Sequence, residues 1–306
     1  KPIFFLKNGN SMMRPIYVPN FGKMILNNTC SVDSIISILA SSAADSLEFR
    51  NYVQSVPSAN LTAKIIKKMS CESDNKKIYH DRLLLLLQFF SDKVECLIGA
   101  LKTINITATV ASIVDKIMAD MPSFITTSEC TNNFCSNQRY DYDSIKLSVN
   151  KYNEEYSIQN ELDDYTKDNE KECTYCGCLR ISKSRPTTHI LIEINYVPLG
   201  LETSTSTGNI EHVQMDLIKQ NFARSNLIKL DDIEKLLKVN NEIYHLRGVI
   251  NFFGGERSGL RSSIGHYTAS TLRENGQWET YDDTKLKAKS TKTSVKTDVE
   301  FLVYTL

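Results

Sequence analysis

The sequence predicts an α+β fold, a helical first part followed by a strand-rich second part, in a chain of 306 residues. Three observations support this prediction. Apolar residues recur at helical spacing between residues 30 and 120, and apolar and polar residues alternate as in strands after residue 121. A cysteine-bearing, acidic insertion interrupts the strand-rich part. A catalytic site is expected where the two parts meet.

The helical part begins with an amphipathic pattern. Apolar residues at positions 32, 35, 36 and 39 have the i, i+3, i+4, i+7 spacing of a helix with one buried face. Asn28 and Thr29, which precede them, are common N-cap residues. Further helices are predicted at residues 65–69, 82–90 and 110–118.

The second part contains five predicted strands, in which residues alternate in polarity or are often β-branched. These strands are residues 144–149, 189–197, 244–253, 266–272 and 301–306. An acidic stretch, residues 154–172, lies between the first two of them.

The composition excludes two classes of partner. Lys+Arg and Asp+Glu both number 36, so a broadly basic nucleic-acid-binding surface is not expected, and the Lys-rich residues 285–296 are interpreted as a solvated face. The longest apolar run, residues 83–87, is far shorter than the about 20 residues that cross a membrane. We therefore expect neither a membrane partner nor direct nucleic-acid binding.

Cys30 lies in the first turn of the predicted helix. Unpaired backbone N–H groups and about half a positive charge from the helix dipole are found at that end. Both favour a thiolate, the nucleophilic form of cysteine. The alternative is that Cys30 is a small buried apolar residue.

His266 lies at the start of a predicted hairpin. Its strand is followed by a turn at Asn275-Gly276 and by a return arm that ends at Asp283. Histidine can serve as the general base for a cysteine, and a carboxylate can fix its tautomer. A two-residue turn sets position 268 opposite 283, which favours Asp283 over Asp282 as that carboxylate. The alternative is a strand histidine next to a solvated turn.

Five of the eight cysteines occur in two close groups. Cys130 and Cys135 are separated by four residues, and Cys173 is followed by Cys176 and Cys178. Four sulfur ligands suit a tetrahedral, structural Zn²⁺ ion, with Cys176 favoured over Cys178 as the fourth ligand. The alternatives are a metal-free site or a disulfide. The spacings also favour a reducing, intracellular compartment, the cytoplasm or the nucleus.

These segments together resemble the ubiquitin-specific proteases. Asn28-Thr29-Cys30, followed by Asp33-Ser34-Ile35-Ile36, is similar to the cysteine box that opens the first helix of that family. Residues 265–269, then Trp278 and residues 281–283, are similar to its histidine box. Residues 189–197, 244–255 and 301–304 resemble its core strands, and the cysteine groups lie where it carries zinc-binding fingers.

The resemblance implies a papain-like cysteine protease fold in one catalytic domain, residues 1–306. A helical thumb would span about residues 1–120, zinc-bearing β fingers about 121–185 and a β-rich palm about 186–306. Cys30 would be the nucleophile and His266 the base, with Asp282 orienting the histidine and Asp283 as a supporting second acid. Since Asp282 conflicts with the two-residue turn, we expect a bulge that shifts the register.

The implied activity is a cysteine isopeptidase that removes ubiquitin, or a ubiquitin-like modifier, after a Gly-Gly tail. Residues 254–264 would form a loop over the channel for that tail. The implied partners are ubiquitin or SUMO conjugates, and zinc is the only implied cofactor, with none for catalysis. We expect a monomeric catalytic domain. Because no initiator Met precedes Lys1, we also expect this domain to be part of a longer protein.

Two departures from the family pattern bear on this activity. Ile25 stands where the family has an asparagine that stabilises the oxyanion, so Asn27, Asn28 or the Cys30 backbone N–H would take that role. Asp33 is similar to the related SUMO isopeptidase branch. The alternatives to a deubiquitinase are therefore a SUMO-specific isopeptidase and a catalytically weak or inactive modifier-binding scaffold.

Overall fold

The computed structural model describes residues 2–9, 14–71, 75–97, 99–151, 157–196, 227–254 and 265–306. The expected channel loop lies outside the described residues apart from Gly254, as does Val197 at the end of a predicted strand. No helix in these ranges is both long enough and apolar enough to span a bilayer.

Six α-helices are described, and four of them are the predicted ones. They are α1 (Cys30–Asp45), α2 (Leu47–Ser55), α3 (Leu61–Cys71), α4 (Asn75–Phe90), α5 (Val110–Ile117) and α6 (Ile158–Thr166). The two unpredicted helices, α2 and α6, are short and mostly polar, and each is capped by a serine, Ser46 or Ser157, whose side chain accepts a backbone N–H bond. The helix α1 is central, because nearly all of its residues are buried.

The first part is not purely helical, because it also holds a small four-stranded sheet. Its strands are β1 (Ile16–Val18), β2 (Gly22–Asn27), β3 (Val94–Cys96) and β4 (Leu101–Asn105), in the order β1-β2-β4-β3. The strand β2 runs parallel to β4 and leads directly into α1. This sheet therefore holds the chain segment that precedes Cys30.

A second four-stranded sheet contains the cysteine groups. It consists of β5 (Phe124–Cys130), β6 (Arg139–Ser144), β8 (Asn169–Glu172) and β9 (Leu179–Pro186), in the order β6-β5-β9-β8. The intervening strand, β7 (Leu147–Lys151), does not join this sheet. It pairs instead in parallel with β10 (His189–Tyr196), a strand of the large sheet.

The large sheet is formed mainly by the second part of the chain. Its main path has the order β16-β15-β14-β13-β17-β10-β7, and two short strands, β11 and β12, pair with β17 and β13. The strands not yet defined are β11 (Leu227–Lys229), β12 (Leu236–Val239), β13 (Glu242–Gly254), β14 (Gly265–Leu272), β15 (Trp278–Tyr281), β16 (Lys289–Thr291) and β17 (Lys296–Thr305). The helix α1 packs on β13 and β14, which brings the helical part against this sheet.

Candidate active site

The start of α1 fixes the position of Cys30. The backbone of Asn28 is left-handed, with φ of 55°, and Thr29 is the N-cap residue. The Thr29 hydroxyl does not cap the helix. It accepts a hydrogen bond from the Gly9 N–H at 2.8 Å and donates one to Asp33 Oδ2 at 2.6 Å. Cys30 is buried, with 8% of its surface exposed.

The electrostatics of Cys30 differ from the sequence-based expectation. Burial raises the pKa of its thiol, and the charges of Asp283 and Asp33 raise it further. The backbone N–H groups of Tyr267 and Ser31 act in the opposite direction, because they hydrogen-bond to the sulfur. Burial and the two aspartates therefore oppose the thiolate that the helix start favours.

The hairpin that carries His266 has a three-residue loop, not the predicted two-residue turn. Arg273 N–H donates to the Gln277 carbonyl at 2.9 Å, and Gly276 has a left-handed φ of 79°. The strands β14 and β15 consequently pair Ala269 with Tyr281. Continuing this register sets position 268 opposite Asp282, so Asp282 shares a face with His266. The expected register shift is therefore present, and it arises from the third residue of the turn. With this shift, the strand pairing agrees with Asp282 as the residue that orients His266.

His266 and Asp282 form a hydrogen bond at the end of this hairpin. The distance from His266 Nε2 to Asp282 Oδ1 is 2.9 Å, and the distance to Asp283 Oδ1 is 3.7 Å. With Nε2 directed at the carboxylate, Nδ1 is the ring nitrogen left for proton transfer. Burial raises the pKa of Asp282, but hydrogen bonds from Thr284 and His266 outweigh it and hold the pKa below its usual value. Asp282 is therefore a carboxylate at neutral pH.

The structure brings Cys30 and the histidine hairpin together. Tyr267, whose backbone N–H bonds to the Cys30 sulfur, directly follows His266. Gly265 precedes it, and a Cβ atom there would lie 1.9 Å from the Phe252 ring, so a larger residue would displace that ring. A thiol, an imidazole and an ionised carboxylate thus lie at one junction of α1 and β14, as nucleophilic catalysis by cysteine requires.

A buried arginine behind Cys30 was not predicted. Arg82 of α4 is fully buried and forms an ion pair with Asp33, in the first turn of α1. The only signal in the sequence is an arginine at the head of the apolar run 83–87, which periodicity alone does not distinguish from an exposed charge. Because Asp33 pairs with Arg82, the presence of an aspartate at this position has a structural reason and does not by itself indicate a SUMO substrate.

The two asparagines predicted as oxyanion donors are both held by side chains of β4. The Asn27 amide donates to Thr103 Oγ1 and the Asn28 amide donates to Asn105 Oδ1, each at 2.9 Å. Each amide nitrogen carries a second hydrogen that these bonds do not use. Ile25 lies in β2 on the same face as Asn27, since Met24 and Leu26 point into the core.

Four of the cysteines converge at the end of the second small sheet. The sulfur atoms of Cys130, Cys135, Cys173 and Cys176 all lie within 4.8 Å of one another. The distances are 3.5 Å between the Cys130 and Cys176 sulfurs and 3.8 Å between those of Cys135 and Cys173. Four thiolates around Zn²⁺ are about 3.8 Å apart, given a Zn–S bond of about 2.3 Å. This set therefore fits a tetrahedral metal ion.

The surroundings of Cys173 also suit a thiolate ligand. The backbone N–H of Tyr175 and the Arg180 guanidinium hydrogen-bond to Cys173 and lower the pKa of its thiol. Gly177 has a left-handed φ of 73° in the tight turn after Cys176. Cys178, the alternative fourth ligand, packs beside the cluster but is not among its four converging sulfurs.

Comparison with known proteins identifies a family that this chain matches. The family model described as ubiquitin carboxyl-terminal hydrolase matches residues 54–304, a range that includes His266, Asp282 and the cysteine cluster and begins after Cys30. The 120.7 kDa protein in the NOF-FB transposable element of Drosophila melanogaster is 26% identical in an alignment of length 318 that covers 98% of this chain. The match covers 26% of that protein, so the chain spans about a quarter of the length of the curated relative.

Solved structures with a similar chain path include the Ubp8-Sgf11-Sgf73-Sus1 SAGA DUB module. Its matching chain is 13% identical, with a TM-score of 0.45 and coverage of 95% of this chain and 67% of that one. The SAGA DUB module bound to ubiquitin aldehyde also matches, with 15% identity, a TM-score of 0.43 and coverage of 90% and 67%.

Proposed function

The chain belongs to the ubiquitin carboxyl-terminal hydrolase family, and from this premise we propose that it removes ubiquitin from lysine side chains. Membership confirms the α+β, papain-like fold class and the thiol-dependent hydrolase class predicted for the domain. Cys30 is the proposed nucleophile, His266 the base and Asp282 the orienting acid. The observation that carries this proposal is the 2.9 Å hydrogen bond between His266 and Asp282, one residue from the backbone N–H that bonds the Cys30 sulfur.

The proposed reaction begins with a protonated thiol. As the Cys30 sulfur attacks the carbonyl carbon of the terminal glycine, its proton passes to His266 Nδ1. Asp282 stabilises the resulting imidazolium through Nε2. The imidazolium then protonates the departing lysine amine, which leaves ubiquitin bound to Cys30 as a thioester. Water, deprotonated by His266, cleaves the thioester and restores the thiol.

The oxyanion that forms during the attack needs donors at the start of α1. Ile25 offers none, so we propose that the free amide hydrogen of Asn27 or Asn28 supplies one and the Cys30 backbone N–H another. The bonds to Thr103 and Asn105 hold these amides in place, so they need little reorganisation when the charge develops.

The four-cysteine cluster is proposed to be a structural zinc site. Cys130, Cys135, Cys173 and Cys176 would hold the ion, and four protein ligands leave no position for a reacting water. Bound zinc would join β5 to the segment between β8 and β9 and so stabilise the second small sheet. This role requires reduced thiols, which supports an intracellular location in the cytoplasm or the nucleus.

The experiment compares hydrolysis of two substrates, ubiquitin and SUMO, each joined by an isopeptide bond to a fluorescent lysine peptide. We expect the wild-type chain to cleave the ubiquitin substrate, and Cys30→Ala and His266→Ala to abolish cleavage without changing the melting temperature. Cys71→Ser, which alters an exposed cysteine, is the control. Preferential cleavage of SUMO would replace the proposed substrate. A folded chain that cleaves neither substrate would favour a binding scaffold.

A further inference from the structure

Three charged side chains form a buried cluster behind the proposed active site. Arg82, Asp33 and Asp283 are 0%, 2% and 7% exposed. Arg82 pairs with Asp33, and the carboxyl group of Asp283 faces that of Asp33 with neither of its oxygens accepting a hydrogen bond from the described residues. We call these three residues the buried charge cluster.

We propose that the buried charge cluster shares one proton between its two carboxyl groups and thereby positions the loop bearing Asp282 against the helix bearing Cys30. This inference rests on the proposed function, because it assigns Arg82 and Asp283 as positioning residues for that same site. It also departs from the sequence-based prediction of Asp283 as an ionised second acid.

The proton follows from hydrogen-bond chemistry. Two ionised carboxylates can only accept hydrogen bonds, so two buried carboxyl groups that face each other can satisfy one another only if one of them is protonated. Among the described residues, no N–H or O–H group donates to either carboxylate oxygen of Asp283. Asp33 receives a bond from Thr29 and the ion pair with Arg82. The proton therefore belongs on Asp283, and Asp33 is the ionised partner.

The surrounding charges agree with this assignment. Burial and the neighbouring charge of Asp33 raise the pKa of Asp283 to about 8, against a smaller opposite effect of Arg82. One guanidinium can neutralise only one of the two carboxylates, so a second ionised carboxylate would remain uncompensated. The titratable or charged groups that face Asp283 come from every neighbouring element: Asp33 and Cys30 from α1, Arg82 from α4, His266 and Asp282 from the hairpin, and Lys7 from the N-terminal segment.

The N-terminal segment, residues 2–9, joins the same groups through its backbone. The Asn8 N–H donates to the Asp283 carbonyl at 3.1 Å, and the Gly9 N–H donates to Thr29. Arg82 donates to the carbonyls of Lys7 and Gly9. Gly9 has a left-handed φ of 59°, and a Cβ atom there would lie 2.3 Å from the Leu26 carbonyl oxygen. Arg82 thus contacts both the α1 start and the segment that reaches Asp283.

The first test replaces Asp283 with Asn, an uncharged side chain that can still donate to Asp33. With a pKa of about 8, wild-type Asp283 is largely ionised at pH 9, which adds negative charge beside Cys30 and Asp33. We expect D283N, which keeps an uncharged group at this position, to lose less kcat/KM at pH 7 than Asp282→Asn does. The ratio of D283N to wild type should then rise about tenfold between pH 7 and pH 9, as the protonated wild-type fraction falls. Asp282→Asn is the matched control and should lose activity at every pH. If D283N loses activity as D282N does, Asp283 is an ionised acid for His266 and the inference is wrong.

The second test examines Arg82 by rescue. Arg82→Met leaves Asp33 ionised and unpaired, so kcat and the melting temperature should both fall. The double variant Asp33→Asn with Arg82→Met contains no buried charge at these positions and should recover most of both quantities. If the double variant is no better than Arg82→Met, the pair does not act through charge and the inference fails.

A stability measurement separates this inference from the proposed function. The raised pKa of Asp283 means that its contribution to stability is complete below the pKa of an unfolded aspartate and is lost as pH rises through about 8. The melting temperature of the wild type should therefore fall more steeply than that of D283N between pH 6 and pH 9. This result is expected even from a chain that cleaves neither substrate. Parallel melting curves for the two proteins would overturn the shared proton.

Discussion

At the scale of single residues, burial determines how the Cys30 sulfur is used. The helix start favours a thiolate, but desolvation and two nearby aspartates raise the pKa of the thiol. In the proposed reaction the thiol must therefore lose its proton to His266 during attack, instead of resting as an ion pair. The ionised Asp282 then stabilises the charge that moves onto the imidazole.

The oxyanion donor can be identified by two single substitutions. Replacing the donor, Asn27 or Asn28, with Ala should lower kcat by about 10²- to 10³-fold with little change in KM, because the interaction forms only in the transition state. Replacing the other asparagine should change kcat less than about threefold, which makes it the matched control. Steady-state kinetics on a ubiquitin substrate measures both. If neither substitution lowers kcat, both donors are backbone N–H groups.

The reacting residues can be predicted from the sequence, but the side chains that hold them in position cannot. Cys30, His266 and Asp282 were proposed from two short segments that resemble family boxes, and the structure places Asp282 at 2.9 Å from the histidine. The role of Arg82 could not be predicted, because it depends on an ion pair with Asp33, a residue on another helix. Spacing within one helix carries no information on a contact of this kind.

At the scale of elements, the hairpin shows how one loop residue decides a register. The Asn275-Gly276 pair suggests a two-residue turn, but Gly276 is the last residue of a three-residue loop. That single position moves Asp282, not Asp283, to the face of His266.

The small sheet of the first part was not predicted, since β2 pairs with β4, which lies far along the chain, and β1 and β3 have only three residues each.

The hairpin is held on α1 by an ion pair that can be tested. Arg273 donates to both carboxylate oxygens of Asp45, at 2.7 and 2.9 Å, and both side chains are buried. Arg273→Met leaves Asp45 buried without its partner, so the free energy of unfolding should fall by about 3–5 kcal/mol. Denaturant unfolding measures it.

The control for this prediction is an exposed ion pair. Lys183 and Asp168 lie 2.7 Å apart, and each side chain is about half exposed. Lys183→Met should lower the free energy of unfolding by at most about 1 kcal/mol. Equal losses in the two variants would show that the Arg273–Asp45 contact does not stabilise the hairpin.

The cysteine cluster makes a prediction for the second small sheet. The purified wild-type chain should contain one zinc ion, and Cys173→Ser should lose it, because three thiolates and a hydroxyl bind zinc far less well. Elemental analysis measures the stoichiometry. Amide hydrogen exchange should then accelerate in β5 and β9 of the variant but not in β13 and β17. A wild-type chain that is metal-free and equally protected would contradict the zinc site.

At the scale of the whole molecule, the proposed active site depends on how two parts of the chain pack. Cys30 belongs to the helical part, His266 and Asp282 to the strand-rich part, and α1 lies on β13 and β14 between them. The N-terminal segment and the buried charge cluster contact both sides of this junction. The order of helical and strand patterns along the sequence predicts the two parts, whereas the packing between them is seen only in the three-dimensional structure.

The most direct test of the account is covalent labelling with ubiquitin that carries a thiol-reactive group at its C-terminus. The labelled wild-type chain is digested, and mass spectrometry locates the modified cysteine among the eight. We expect a single ubiquitin adduct on Cys30, whose formation slows strongly in His266→Ala. An adduct on any other cysteine, or a folded chain that forms none, would contradict it.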